Sequence, residues 1–449
     1  MTRTSSERVA EFITSFEFAD LPEQAIANAK RAILDCIGVT LAGHRIRASG
    51  AILDYVGEWT GAGTSSVIGT DFRLPPEQAA FTNGYLAHVQ DFDDRGHAST
   101  HTLPVVLALG EAAGIAGREI LVAYVVGREV RQHIDEVFRP GRATTRENIG
   151  SGPGWRGWHE TGVVGSLGAA AAAAKVMSLS RDQALMAIGI AASLASGLIA
   201  NFGTSTKALH AANAARNGVL AAILASKGHT SDREILTARR GLVEAVSYPD
   251  TLDISPAVDG LESFLHIVEK GVRIKPYPAC TGVQRYIEAM LHLRQTWGLV
   301  PDEIQRITVG RVAGQTAKRD FPRDELECKF SPAFVAVASL ISGEFSMHTC
   351  TNEYLDRDDV QAMLQRTAYA DATEAFVRVE TRSGQVHEAS GQPIRDLTSD
   401  EEVLDKFHEC ADPKVGSERA AAIVDLVSGL ESLASIHSLT SLVTGGVTA

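Results

Sequence analysis

The chain predicts a mainly α fold, with a large all-helical domain built from both chain ends and a smaller α+β domain inserted between them. Three observations carry this. Apolar residues recur at helical spacing from the start to about Lys270. Strand-like alternation appears only after that, at Ile304 to Val312 and in a hairpin near 376–389. Helical texture returns at Ser399. The expected boundaries are 1–269 with 400–449 for the helical domain and 270–399 for the insert. A chain of 449 residues allows roughly two to four domains, each long enough to bury a core.

Taken in order, Ser5 and Ser6 offer caps for a helix with Val9, Phe12, Ile13 and Phe16 on its apolar face. Leu21-Pro22 opens a second helix through Ala25, Ala29, Ile33 and Ile37 that ends near Gly43. Pro75 and Pro76 open a third, which runs into the stretch NGYLAHVQDFDDRGHASTHTLPVVLAL at 83–109. Three carboxylates (Asp91, Asp93, Asp94), Arg95 and two imidazoles (His97, His101) sit there between apolar runs. Such a loop reads as a site; the alternative is a capped helix end with a charged surface. His97 and His101 have the i, i+4 spacing of a zinc-binding helix face, and Asp93 is a third candidate ligand. No glutamate occupies the general-base place of that motif, and no metal is expected.

Ile120 to Ile134 is again amphipathic. Arg139 to Trp158, rich in Gly, Pro and Arg, is a long loop of the lid or binding type, or a solvated one. Gly162, Gly165 and Gly168 precede an alanine run with no strand before them. They predict close helix packing and no dinucleotide fingerprint. A buried helix is expected from Arg181 to Leu198. In GTSTKALHAANAARNG, Lys207 and His210 share a helix face, as site residues or at an exposed helix end. RIKPYPAC precedes a helix to Trp297, and Cys328 to Ser342 is apolar and helical. Glu401 to Cys410 and Ser417 to Leu433 are helical, and the final SLVTGGVTA is expected to fray.

The net charge of -13 argues against nucleic-acid or anionic-membrane surfaces, though a local basic pocket can still take an anion. Five scattered cysteines without CxxC spacing point to a reducing compartment. No apolar run reaches the length of a membrane span, so a cytoplasmic location is expected.

These motifs, NGYLAHVQDFDD with His97-Ala98-Ser99, GWHETG, GTSTKALHAANAARNG, KPYPAC and CKFS, resemble in content and order those of the MmgE/PrpD family, over nearly the whole chain. That family includes 2-methylcitrate dehydratase, cis-aconitate decarboxylase and iminodisuccinate epimerase. The resemblance implies a helical domain with an α+β lid, a homodimer, no metal or organic cofactor, and a site between the domains. Matched motif by motif, it implies catalytic roles for Asp93, His97, His159, Lys207 and Lys275, and substrate contacts for His210 and Tyr277; the additional His101 is a further candidate contact. The sequence also departs from the pattern. The turn from Asp94 to His97 is shorter and lacks a Thr, Gln284 stands where a His is common, and Phe334 stands where some members have a Tyr.

The expected chemistry is proton transfer at a carbon beside a carboxylate of a small di- or tricarboxylate. It needs cations to hold carboxylate oxygens and a base or acid near the carbon. A lyase, dehydratase or decarboxylase, is the first expectation. An isomerase or epimerase is the second, and a catalytically inactive binding protein the third.

Overall fold

The computed structural model describes residues 3–61, 63–138, 157–247, 253–261, 263–312, 320–390 and 392–445. The arginine-rich segment falls largely outside these, at 139–156. The N-terminal helices are α1 (Ser5–Ser15), α2 (Glu23–Ala42), α3 (Ser49–Gly57), α4 (Pro76–Val89), α5 (Ala98–Ala113) and α6 (Gly117–Val137). A two-stranded ladder, β1 (Ser65–Ser66) with β2 (Arg73–Leu74), precedes α4. Then come α7 (Glu160–Val176), α8 (Arg181–Leu194), α9 (Thr206–Ser226) and three short turns, α10 (Leu242–Val246), α11 (Ser255–Gly260) and α12 (His266–Glu269).

The first helix starts one residue earlier than the sequence suggests. Thr4, not Ser5 or Ser6, is the N-cap, and it forms a reciprocal capping box with Glu7. The helix expected to reach Leu198 stops at Leu194. Ser196 and Gly197 instead turn back against α7 and His210. The glycines of α7 do what their spacing predicts. A Cβ at Gly168 would lie 2.7 Å from the Gly127 carbonyl oxygen, and one at Gly162 would lie 1.9 Å from that of Ser196. Only glycine lets α6 and the 196 turn approach this closely.

One apolar core joins α1 through α12 with residues from Phe407 to Val443 at the other chain end. Most of those belong to α18 (Asp400–Val415), α19 (Ser417–Ser428) and α20 (His437–Val443), with Leu430 and Ile436 in the turn between the last two; the labels follow the intervening elements α13 to α17. Of the final segment expected to fray, residues 441–445 are held, and 446–449 lie outside the described residues. Val443 is buried and its carbonyl accepts from Gly69 at 2.7 Å, while Gly445 donates to Thr70 at 2.8 Å.

A second core draws on Tyr277 to Ala389, joined by Ile199 and Phe202. It contains α13 (Gln284–Trp297), β3 (Ile304–Val312), α14 (Glu325–Cys328), α15 (Pro332–Ser342), α16 (Asn352–Leu355) and α17 (Asp358–Gln365), followed by β4 (Thr367–Ala372), β5 (Phe376–Thr381) and β6 (Val386–Ser390). The sheet runs β4-β3-β5-β6; β4 pairs parallel to β3 and the others pair antiparallel. The apolar run from Cys328 is two helices rather than one, because Ser331 caps α15 and Pro332 opens it.

The segments that cross between the cores are stitched together. Ile274 bridges Asp94 on one side and Leu397 on the other, and Arg95 donates its backbone N–H to Arg273 at 2.8 Å. Both crossings therefore meet the DFDD loop. Among the described residues, no helix is long and apolar enough to cross a membrane.

Candidate active site

The loop between α4 and α5 holds the chemistry in a strained backbone. Asp91 (φ 52°) and His97 (φ 62°) both occupy the left-handed region, which costs a non-glycine residue about 1 kcal/mol or more. Gly96 (φ 85°) completes a tight turn in which His97 N–H donates to the Asp94 carbonyl at 2.9 Å. Asp94 anchors the start of α5: one carboxylate oxygen accepts from Ser99 N–H at 3.1 Å and the other from Arg128 at 2.6 Å.

Asp93 is fully buried, and His97 Nδ1 lies 2.6 Å from its Oδ2. His88, at the end of α4, turns Nδ1 toward the other carboxylate oxygen at 3.4 Å and accepts from Lys207 at Nε2 (3.0 Å). The lysine bond assigns the His88 proton to Nδ1. Asp93 thus faces two imidazole N–H groups, and Nε2 of His97 is left as the unprotonated nitrogen. The His97 side chain keeps 12% exposure while Asp93 keeps none, so the imidazole is the accessible member of the pair.

Two lysines converge on Asp91. Lys275 reaches its Oδ1 at 2.6 Å and its carbonyl at 2.9 Å, and Lys207 reaches Oδ2 at 3.0 Å. Burial alone would raise the Asp91 carboxyl, but Lys207 and Lys275 outweigh it and hold it well below the usual range. Asp93 is likewise held low against its burial, by His97 and Lys275. Burial pushes His97 down to about 3, with Asp93 opposing and Lys275 assisting. The ring is therefore neutral, and its carboxylate partner is ionised.

His159 and His210 meet through their Nδ1 atoms at 2.9 Å. The His159 ring lies 6.1 Å from that of His97 and 4.7 Å from Phe202. Burial, then Lys207, drives His159 far down; burial, then His88, takes His210 to about 4. The Lys207 ammonium lies over the Phe202 and Phe330 rings at 5.3 and 5.6 Å. A cleft of about 1010 Å³ lies between residues of the two cores, and none of the clustered side chains lines it. Its lining includes Arg45, Gln90, Ser205, Glu325 and Asn352; Gln90 adjoins Asp91 in the chain, and Ser205 lies two residues before Lys207.

Sequence profiles of the MmgE/PrpD N-terminal and C-terminal domains match residues 7–255 and 277–432. The chain belongs to the MmgE/PrpD family. It is 28% identical over 474 residues to the cis-aconitate decarboxylases of Mus musculus and Homo sapiens, covering 99% of this chain and 94% and 95% of theirs. It is 25% identical over 481 residues to that of Aspergillus terreus, covering 97% of this chain and 95% of that one.

Of the residues matched to the MmgE/PrpD motifs, Asp93, His97, His159, Lys207, Lys275 and His210 form one cluster. Lys207 and His210 are buried, so the exposed-helix-end reading of that pair fails. Tyr277 is turned elsewhere, donating its hydroxyl to Glu288 at 3.1 Å. His101 is fully buried on α5; a Cβ at Gly165 would lie 3.1 Å from its ring, and neither ring nitrogen has a hydrogen-bond partner among the described residues. Among the described residues, the groups whose potential ligand atoms lie within 4.8 Å of one another are His88, His97, His159 and Asp91, Asp93, His97; His101 is in neither. Gln284 spends its amide on the Tyr277 and Ala279 carbonyls and on Arg95, and Phe334 is fully buried in the second core.

Sequence reasoning missed His88 as a site residue and Asp91 as the lysine anchor. A histidine in the last turn of a small-residue helix, three positions before a carboxylate cluster, was the available signal. Buried Lys329, which donates to Gln90 Oε1 at 2.6 Å, lay unremarked inside the CKFS motif.

The neutral imidazoles predict how stability depends on pH. In the unfolded chain each titrates near 6.5, while in the folded chain His88, His97, His101, His159 and His210 are all lowered. The unfolded state therefore binds more protons below about pH 6.5, and stability present above that value is lost as pH falls toward the folded values. Urea midpoints should drop steadily from pH 7 to pH 5. A flat profile over that range would mean that these rings protonate without unfolding.

Proposed function

We propose that this protein is a lyase that removes carbon dioxide from a small unsaturated tricarboxylate of the cis-aconitate class, using side chains alone. The observation that carries this reading is the Asp93–His97 pair: an accessible, neutral imidazole fixed by a buried carboxylate beside Lys207. The names of the relatives favour decarboxylation over dehydration.

In such a reaction the bond to the departing carboxylate breaks and its electron pair forms a new carbon–carbon double bond. The original double bond shifts onto the carbon beside a second carboxylate, giving an enolate-like state, and that carbon takes up one proton. Lys207 and the His159–His210 pair are placed to hold carboxylate oxygens as that charge develops. Lys275, fully buried, acts through Asp91. The anionic substrate raises the His97 pKa, so the ring takes a proton from solvent at Nε2 and delivers it to carbon, while Asp93 stabilises the imidazolium. The α+β part would serve as the lid over the cleft.

A second reading, an epimerase that returns the proton without losing a group, rests on Phe334 and Gln284, neither of which can supply an acid. Proton NMR in deuterated buffer separates the two. Loss of cis-aconitate with one deuteron in the product supports the decarboxylase. Labelling of iminodisuccinate without net turnover favours the epimerase, and inertness toward both, with citrate and 2-methylcitrate included, favours a binding protein.

Chelation should leave activity unchanged. The Asp91 oxygens already face two ammonium groups at 2.6 and 3.0 Å, and a divalent ion there would meet both. EDTA inactivation reversed by a divalent metal would overturn the metal-free mechanism.

A further inference from the structure

Phe92 separates Asp91 from Asp93. Its backbone carbonyl accepts from Lys406 of α18 at 2.5 Å, and the same ammonium lies 4.0 Å from the Phe92 ring centroid. Lys406 is paired at 2.6 Å with Asp35 of α2. Both are nearly buried, with side-chain exposures of 4% and 1%. The Phe92 ring sits in a small separate apolar cluster with Val39, Ala42, Met347 and Cys410. This one residue is thus gripped by side chain and carbonyl, from elements far apart in the chain.

A buried ion pair is a poor route to stability, because desolvating both charges offsets their attraction. Asp35 shows the penalty: burial raises it to about 6 even with Lys406 alongside. α2 and α18 would pack on each other as well with apolar side chains. The structural return on the pair lies in what the ammonium holds, which is the peptide on which Asp93 turns toward His97.

We infer that Lys406 and Asp35 are positioning residues for the reaction: Lys406 fixes the Phe92 carbonyl, and Asp35 keeps the Lys406 ammonium aimed at it. The pair never meets substrate. It sets the direction of the peptide between the two aspartates, so that Lys275 and Lys207 find Asp91 while Asp93 finds His97 Nδ1. The inference rests on the reading of Asp93 and His97 as the reacting centre.

The test uses the double variant D35N/K406M in the full-length protein. Lys406→Met alone would strand a buried carboxylate and can fail to fold; the double variant removes both charges at similar volume. Expected are a urea midpoint close to wild type, a kcat on cis-aconitate reduced about 10- to 100-fold, and a KM within about threefold, since a displaced acid–base pair costs rate rather than binding. The Nδ1–H signal of His97 in histidine-labelled protein should move, which a purely structural role would not require. Asp35→Asn alone keeps the lysine bond to Phe92 and should give an intermediate rate. Wild-type kcat and an unmoved His97 signal in the double variant would overturn the inference. So would a collapsed midpoint in both variants, which would make the pair structural. Failure of the underlying reading looks different: wild type would not consume cis-aconitate, or His97→Gln would be as active as wild type.

Discussion

Replacing His97 by glutamine removes turnover by about 10² or more while leaving the urea midpoint near or above that of wild type. The size is that of a lost general acid–base group. The imidazole is the accessible member of its pair with Asp93, which it meets through Nδ1. Stability should not suffer, because His97 sits at φ 62° ahead of α5 and contributes no side-chain cap there; Asp94 does that work through Ser99. The amide can still donate to Asp93, so the carboxylate is not abandoned. A fall of less than tenfold would move the proton-transfer role to His159, whose ring lies 6.1 Å away.

Lys275→Met should be the most damaging single change to the fold. Its ammonium is fully buried, and it holds the Asp91 carbonyl, the Asp91 carboxylate and, at 3.8 Å, Asp93. Removing it leaves two buried carboxylates with Lys207 and the imidazoles as their remaining compensation. Breaking a buried pair in this way costs about 3–5 kcal/mol. Unfolding free energy from urea titration should fall by that order, and activity should vanish even below the transition. Lys207→Met, by contrast, leaves Asp91 its shorter contact to Lys275 and should weaken substrate affinity more than stability. If Lys275→Met kept the wild-type midpoint, Lys275 would not be what compensates the buried Asp91 and Asp93 charges.

The helical periodicity, the proline and glycine boundaries and the alternation of β3 were legible because they are local. A helix from Pro76 or a strand at 304–312 follows from residues within a few positions of each other. Family motifs carried the site further, since Asp93, His97, His159, Lys207, His210 and Lys275 could each be matched by neighbours in sequence, and the structure brings them together. What failed to read out was pairing at a distance. Strand β4 was invisible because its parallel partner β3 lies more than fifty residues earlier. Tyr277 looked like a ligand by motif, but Glu288 on α13 takes its hydroxyl. His101 shares a spacing with His97, yet packing against Gly165 puts it in a buried helix contact. Charge states were equally hidden: a histidine near 3 and an aspartate held low require burial and the approach of lysines from α9 and the 270s segment. The sequence by itself determined where the long helices run, to within a few residues at their ends, and which motifs the chain carries, because those depend on near neighbours along the backbone. Only the tertiary structure decided that Lys207, Lys275 and Lys406 converge on three consecutive residues, because desolvation and Coulomb attraction depend on distance in space.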